Sequence, residues 1–435
     1  MDDEQSVNPQ QESASQQLTQ KVRLLNEDLH SVHKTSQLFV GAQDLDQVLQ
    51  LAVQVVAQAV RADAAGLRLL ERDNNELALK ATWGLSEEYI NKGPVTAGES
   101  ALNRRALNGE VILVDDMQKD EHFVRYHNEV AREGLVSCMT LGLLHKSKGI
   151  GTLRLYNKGQ RAFSEADIST AQIVAAQSAM AIMNARLYAE ALEGDRIARQ
   201  VRMAGEVQRH LIPAEAPDIP GIDMSGIYVP CYDVGGDFYD FIDIRDGRFV
   251  VNIGDVMGKG VPASLAMASL RSSLRAYAAQ FEDLKRYISR ANQMFCHDNT
   301  LGEFATVFSC EIVPQEDHLH YCNCGHEPPI LLRDGQVSEL AAGGTIIGLS
   351  ESANYTPQRL DLQSGDMILM YTDGLIDAVD FEREPYGRER LVGAFRDTAA
   401  MSAAAAARSV LWAMRKFTGL TRRFDDIALV VIKKT

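Results

Sequence analysis

The 435-residue chain is poor in cysteine, and its six (Cys138, Cys231, Cys296, Cys310, Cys322 and Cys324) form no C-x-x-C pair. That scatter excludes the usual structural zinc sites and a disulfide scaffold, and leaves buried thiols in a reducing compartment as the expectation. A basic surplus is also missing: 44 Lys and Arg face 59 Asp and Glu, for a net charge of −15. Phosphate backbones and anionic bilayers need a cationic face, so neither nucleic acid nor a membrane is expected as partner. No apolar run is long enough to span a bilayer; Leu51 to Val60 and Ile173 to Met183 are short and read as helix cores. Residues 1–17 are polar and carry no signal peptide, so a cytoplasmic protein is expected. What is present is an ordinary 46% of hydrophobic residues over a length that suggests two to three domains with full cores.

Residues 1–16 are rich in Gln, Ser, Asp and Glu and read as a disordered tail. Over 17–40, Leu18, Val22, Leu25, Leu29 and Val32 follow 4-3-4-3 spacing, the seam of a short coiled-coil dimer or of an amphipathic helix. From 41 to 191 the chain alternates. Leu45 to Val60 reads as a helix; Ala64 to Leu70 and Leu77 to Ala81 read as strands around an Asp73-Asn74-Asn75 turn; Val111 to Val114, Ser137 to Leu144 and Gly149 to Tyr156 are further strands. A closing helix runs from about Ser164 to Ala191, with Ser164 and Asp167 as a capping box that has Asp in place of Glu. This layout resembles a GAF sensory domain. Asn157-Lys158, Phe163 and Asp167 match that family's N-K…F-x-x-x-D signature, with Ile168 where an acidic partner is usual. The resemblance leaves the GAF ligand unknown, and Cys138, alone in an apolar strand, reads as core. A linker helix follows over 192–213, with Ile197, Val201, Ala204, Val207 and Leu211 on one face that must pack on the next domain or a second subunit. Pro213, Pro217 and Pro220 end it.

The rest, 214–435, is organised around Val234-Gly235-Gly236-Asp237-Phe238-Tyr239-Asp240 and Gly254-Asp255-Val256-Met257-Gly258-Lys259-Gly260. Arg248 to Ile253 between them reads as a buried strand and Asp243 to Gly247 as a turn, so the two segments pair as a hairpin. A strand over Asp366 to Tyr371 delivers Asp373 to a glycine turn, and Asp425-Asp426 precede a last apolar strand, Ile427 to Ile432. Four carboxylates thus recur at strand ends. Gathered in a dry place they repel unless a cation lies between them, and hard oxygen ligands select Mg²⁺, Mn²⁺ or Ca²⁺ over zinc.

These motifs, with Gln208 to Pro213, Gly325-His326-Glu327-Pro328-Pro329 and Gly343-Gly344, resemble the bacterial SpoIIE/RsbU branch of the metal-dependent PPM serine/threonine phosphatases over about Gln208 to Lys433. The resemblance implies an α+β chain, in which a GAF domain (an antiparallel sheet with helices) is joined by the helical linker to an α-β-β-α sandwich. It implies two Mn²⁺ or Mg²⁺ ions that activate a water for attack on phosphorus. Asp255 would bridge the ions, Asp237 and the Val256 carbonyl would serve one, and Asp373 and Asp425 the other. Asp426 is the lesser ligand candidate, Asp240 points to the other face, and His326 has a structural loop role. Met257 stands where eukaryotic members place a histidine. The implied substrate is a phosphorylated STAS-domain anti-sigma-factor antagonist, and the implied assembly a homodimer. A non-catalytic signalling module is the alternative. A nucleotide cyclase, suggested by Gly235-Gly236-Asp237-Phe238, leaves Asp373 and Asp425 unexplained.

Overall fold

The computed structural model describes residues 44–435 apart from 72–75, 92, 94, 96–100, 246 and 299–301. The expected tail, the 17–40 seam and the Asp73-Asn74-Asn75 turn lie outside the described residues. The chain divides into two compact units, one ending at Gly194 and the other beginning at Asp195.

The first unit opens with α1 (Leu45–Val60), capped by the Asp44 side chain, and continues through β1 (Ala64–Leu70) and β2 (Leu77–Trp83). Two short helices, α2 (Glu87–Ile90) and α3 (Ala101–Leu107), precede β3 (Ile112–Val114). A 3-10 turn (Glu121–Tyr126) and α4 (His127–Glu133) lead to β4 (Ser137–His145) and β5 (Lys148–Asn157). The sheet runs β2-β1-β5-β4-β3 and is antiparallel throughout. One face packs Leu67, Leu69, Leu141 and Leu153 on α1 and on Val174, Ala175 and Ile182 of the closing helix. The opposite face carries a second core under the short helices, with Tyr89, Leu102, Phe123, Cys138 and Tyr156. Ser164 and Asp167 form the reciprocal cap: each backbone N–H donates to the other's side chain, at 3.0 and 3.2 Å.

The closing helix does not stop near Ala191. It continues as α5 from Glu165 to Arg209, so the closing and linker helices are one. Gly194 costs such a helix only about 1 kcal/mol, and its neighbours Glu190, Ala191, Leu192 and Arg196 are helix formers or tolerated; Pro213 is the first residue that forbids continuation. Of the two places expected for the apolar stripe, the next domain and a second subunit, the first does not cover it within the single chain. Ile197 and Val207 are 53% and 67% exposed. Within the second unit, the face of α5 that packs on the following loop carries Gly205 and Gln208, because a small residue there lets the helix lie directly on the backbone of that loop.

In the second unit β6 (Ile222–Val229), β7 (Phe238–Asp243) and β8 (Phe249–Val256) precede α6 (Val261–Ala278) and α7 (Leu284–Asp298). Then come β9 (Ala305–Val313), β10 (His318–Cys324), β11 (Ile330–Arg333), β12 (Gln336–Glu339), β13 (Gly343–Gly344), β14 (Gln358–Asp361) and β15 (Met367–Tyr371). Helices α8 (Gly387–Arg396) and α9 (Ala403–Thr418) precede β16 (Ile427–Lys434). One sheet runs β13-β10-β9-β8-β7, with β14 also on β10; the other runs β12-β11-β15-β16-β6. Tyr239, Val251, Ile253, Phe308, Ile368, Met370, Val430 and Ile432 fill the space between the sheets. The alternate residues of the same strands face helices: Val250 and Val256 meet α6 and α7, and Leu369, Leu429 and Val431 meet α8 and α9. Strands covered on both sides must be apolar at every position, which is why these segments read as continuous hydrophobic runs. The layering is α-β-β-α. No helix among the described residues is long and apolar enough to cross a membrane.

Candidate metal centre

Strand direction brings the acids together. In the β7–β8 hairpin Phe238 pairs with Gly254, so Asp237, just ahead of Phe238, lies across from Asp255, just after Gly254. In the other sheet β15 and β16 are antiparallel with Tyr371 opposite Leu429, so the end of one strand meets the start of the next. Asp373 opens a 3-10 turn, Asp373–Leu375, past β15, and Asp425 stands just ahead of β16.

Asp237 is 2% exposed, and its Oδ2 is buried without a hydrogen-bond partner. Burial, then the charges of Asp255 and Asp426, pushes its carboxyl well above the ordinary range. Burial, then the charge of Asp373, pushes Asp255 up to about 6. Asp373 is raised by burial and then by Asp425. Lys259, from the glycine loop after β8, donates to Asp425 Oδ2 at 2.6 Å and to the Phe424 carbonyl. The Val256 carbonyl lies against Gly236, where an added Cβ would come within 2.7 Å of it. The four carboxylates therefore form two pairs, Asp237 with Asp255 and Asp373 with Asp425, coupled through Asp255 and Asp373. Among the described residues no group of three or more His, Cys, Asp or Glu is drawn close enough to cage an ion as it stands.

The loop bearing Asp237 is held from two sides. Gln208, near the end of α5, donates Nε2 to the Gly235 carbonyl at 2.6 Å and accepts the Gly235 N–H at 3.0 Å. The Asp426 carboxylate accepts the N–H of Cys231 at 2.7 Å and of Gly236 at 2.9 Å. A side chain at Gly235 would overlap Asp426 Oδ2, and one at Gly205 of α5 would overlap the Asp233 carbonyl. Asp426 is thus a clamp on the loop, a role the sequence reading did not give it; the Asp-Asp doublet was the only signal. In the sequence Gln208 stands out only as part of the Gln208 to Pro213 motif.

Two other residues fall where expected. Asp240 is fully buried on the helix side, bound by Arg271 at 3.2 Å and Arg275 at 2.6 Å. His326 is buried, its Nδ1 lies 2.8 Å from the Thr306 hydroxyl, and its backbone is tied twice to Asn323. Burial lowers its pKa to about 4, so it is neutral near pH 7 and supports the loop next to Asp255's partner strand.

The profile of the Stage II sporulation protein E (SpoIIE) family matches residues 245–435, and that of the GAF domain matches 44–182. This chain joins a GAF domain to a SpoIIE-type PP2C domain. Asp255, Asp373 and Asp425 fall within the SpoIIE match, and Asp237 lies ahead of it. The SpoIIE domain is 26% identical over 183 residues to the phosphoserine phosphatase RsbU of Bacillus subtilis, covering 42% of this chain and 54% of RsbU. It is 28% identical over 215 residues to the protein IcfG of Synechocystis, covering 43% of this chain and 34% of IcfG. The chain thus spans between about a third and about half of these relatives. The solved SiaA-PP2C domain of Pseudomonas aeruginosa shares the fold, at a TM-score of 0.50 and 20% identity over 56% of this chain and 98% of that one.

The donor set fits the divalent ions such domains use. Every candidate ligand is a hard oxygen, and Asp237 brings a buried carboxylate oxygen that nothing in the protein satisfies.

Two outcomes are expected. Gly235→Ala should leave the protein folded, with an unchanged far-ultraviolet circular dichroism spectrum. It should weaken Mn²⁺ binding by roughly tenfold or more, as loss of supporting contacts to a metal ligand does; calorimetric titration measures this. Mn²⁺ must also displace protons from Asp255 and Asp237. Because both carboxyls are raised, protons compete more strongly as pH falls, so affinity should drop through about pH 6 and level off above it. Titrations in buffers of different ionisation enthalpy should show proton release on binding, larger at the lower pH.

Proposed function

We propose that the protein is a GAF-regulated, metal-dependent phosphoserine/phosphothreonine protein phosphatase of the cytoplasm. The observation that carries this reading is the convergence of Asp237 and Asp255 from one sheet with Asp373 and Asp425 from the other, inside a SpoIIE-type domain. Two Mn²⁺ or Mg²⁺ ions held there supply a low-pKa water nucleophile and neutralise charge on the phosphoryl group.

In this reading Asp255 would serve both ions, Asp237 and the Val256 carbonyl would help hold one, and Asp373 and Asp425 the other. Asp426 and Gln208 position the Asp237 loop without touching substrate. Lys259 contributes a positive charge at the rim of the site, beside Asp425. A cavity of about 200 Å³ opens next to Asp425, with Arg422, Arg423 and Thr421 in its wall. Asp377 and Asp425 line the same cavity, so the two arginines offset acidic groups there. The substrate proposed is a phosphorylated STAS-type anti-sigma-factor antagonist, after RsbU, which is named a phosphoserine phosphatase.

Regulation is assigned to α5. The helix that starts at Glu165 in the GAF unit ends with Gly205 and Gln208 on the loop that presents Asp237. A shift or rotation of α5 therefore moves one half of the metal centre. The exposed Leu187, Ile197 and Met203 on the same helix favour a homodimer that covers them.

Asp255→Asn is expected to lower Mn²⁺-dependent phosphate release from a phosphoserine STAS protein by roughly a hundredfold or more, with stability unchanged or raised. Retained activity would remove the reading, and loss of folding would be visible in the circular dichroism spectrum. Light scattering coupled to gel filtration should give twice the chain mass. Leu187→Glu with Ile197→Glu should return the protein to one chain mass; a monomeric wild type would exclude the dimer.

A further inference from the structure

The two halves of the metal centre meet at a rim that carries cations. Asp237 sits on the loop before β7, and Asp425 on the segment before β16. These two stretches are fastened to each other. The Cys231 N–H donates to Asp426 Oδ1 at 2.7 Å, and the Cys231 thiol donates to the Arg423 carbonyl at 3.1 Å. Lys259 adds its ammonium, which binds Asp425 and the Phe424 carbonyl. The backbone from Arg423 to Asp426 is therefore held along its length, and the side chains beside it start from a fixed base.

From that base Arg422 reaches across to the other stretch. Its guanidinium carbon lies 5.9 Å from the centre of the Tyr232 ring, within the range of a cation–π contact. Tyr232 is 48% exposed, so its ring is a shelf at the surface and not a core side chain. The contact restricts a long side chain that would otherwise keep its rotamer freedom, and it uses none of the five N–H donors of the planar fork. Among the described residues neither Arg422 nor Arg423 forms an ion pair, although Asp377 and Asp425 line the same cavity. Asp425 is taken by Lys259 instead. Other arginines of this unit do find acids: Arg275 binds Asp240, Arg333 binds Asp366 and Arg388 binds Glu339.

The position of the fork matters as much as its freedom. The cavity that Arg422 and Arg423 line also has Asp425 and Gly374, the neighbour of Asp373, in its wall. A phosphoserine brings about −1.5 to −2 charges and three acceptor oxygens to such a place. A guanidinium fork meets two of those oxygens at once, which a lysine ammonium does not. Lys259 is in any case committed to Asp425 and the Phe424 carbonyl.

We propose that Arg422, laid on the ring of Tyr232, is the substrate-binding cation of the SpoIIE domain, and that its fork takes two phosphoryl oxygens of the phosphoserine at the mouth of the metal centre. The substrate class rests on the phosphatase reading. Tyr232 is the positioning residue: it aims the fork and does not touch the substrate. Arg423 adds charge to the same wall without a ring to aim it.

The test is calorimetric titration of inorganic phosphate into the full-length protein saturated with Mg²⁺, which needs no turnover. The wild type should bind phosphate, and Arg422→Gln should weaken that binding roughly tenfold or more, as loss of a charge-assisted pair does. Arg422→Lys, which keeps the charge without the fork, should recover only part. Arg423→Gln should cost less than Arg422→Gln. Tyr232→Leu should weaken phosphate binding in the wild type and change nothing further in Arg422→Gln, because the ring acts only through the arginine. Mg²⁺ affinity should stay the same in every variant. The proposal is overturned if the wild type takes up no phosphate, or if Arg422→Gln binds it as well as the wild type does. It is also overturned if Arg423→Gln costs as much, which marks a diffuse field, or if Mg²⁺ affinity falls in step, which marks a residue that only supports the Asp425 segment. Failure of the phosphatase reading shows separately, as no phosphate release from a phosphoserine protein while phosphate binding through Arg422 persists.

Discussion

Repulsion between Asp237 and Asp255 is the constraint around which the SpoIIE domain is built. Two carboxylates face each other across an antiparallel hairpin, one of them almost wholly buried; burial and then Asp255 raise the pKa of Asp237, while burial and then Asp373 raise that of Asp255. A hydrophobic residue at either place would be cheaper for folding. The surrounding structure therefore has to hold an arrangement that its own electrostatics oppose. It does so with backbone contacts. Gly235 and Gly236 let the chain run so close to Asp426 and the Val256 carbonyl that no Cβ fits, and Asp426 and Gln208 tie the loop at both sides.

That clamp joins three distant parts of the chain. Gln208 belongs to α5, Gly235 to the loop before β7, and Asp426 to the start of β16. Each contact uses a polar group that is buried and would be costly to leave unpaired. The loop is therefore held by three parts of the chain at once.

The GAF domain carries the opposite imbalance. Its second core holds Arg68 and Arg154 with no ion pair to an acid among the described residues, while the SpoIIE domain gathers acids with one lysine, Lys259, among them. Both are local excesses of one charge in places the solvent reaches poorly.

Much of this was legible in the residues alone. The apolar runs Phe249 to Ile253 and Ile427 to Ile432 announced buried strands, the glycines beside Asp237, Asp255 and Asp373 announced turns at strand ends, and Ser164 with Asp167 announced a helix start. Each depends on neighbours within a few positions, and local propensity carries that information. The continuity of α5 through Gly194 is not visible in the residues, because Gly194 is a weak breaker whose effect depends on what the helix packs against. The roles of Asp426 and Gln208 and the surroundings of Arg68 and Arg154 could not be read at all. An aspartate that clamps a loop and one that ligates an ion are the same residue in a sequence, and a buried arginine differs from a solvated one only by what the fold places around it. The sequence by itself determined which acids stand at strand ends; only the tertiary structure decided which of them face each other, because strand order and register bring together positions more than a hundred residues apart.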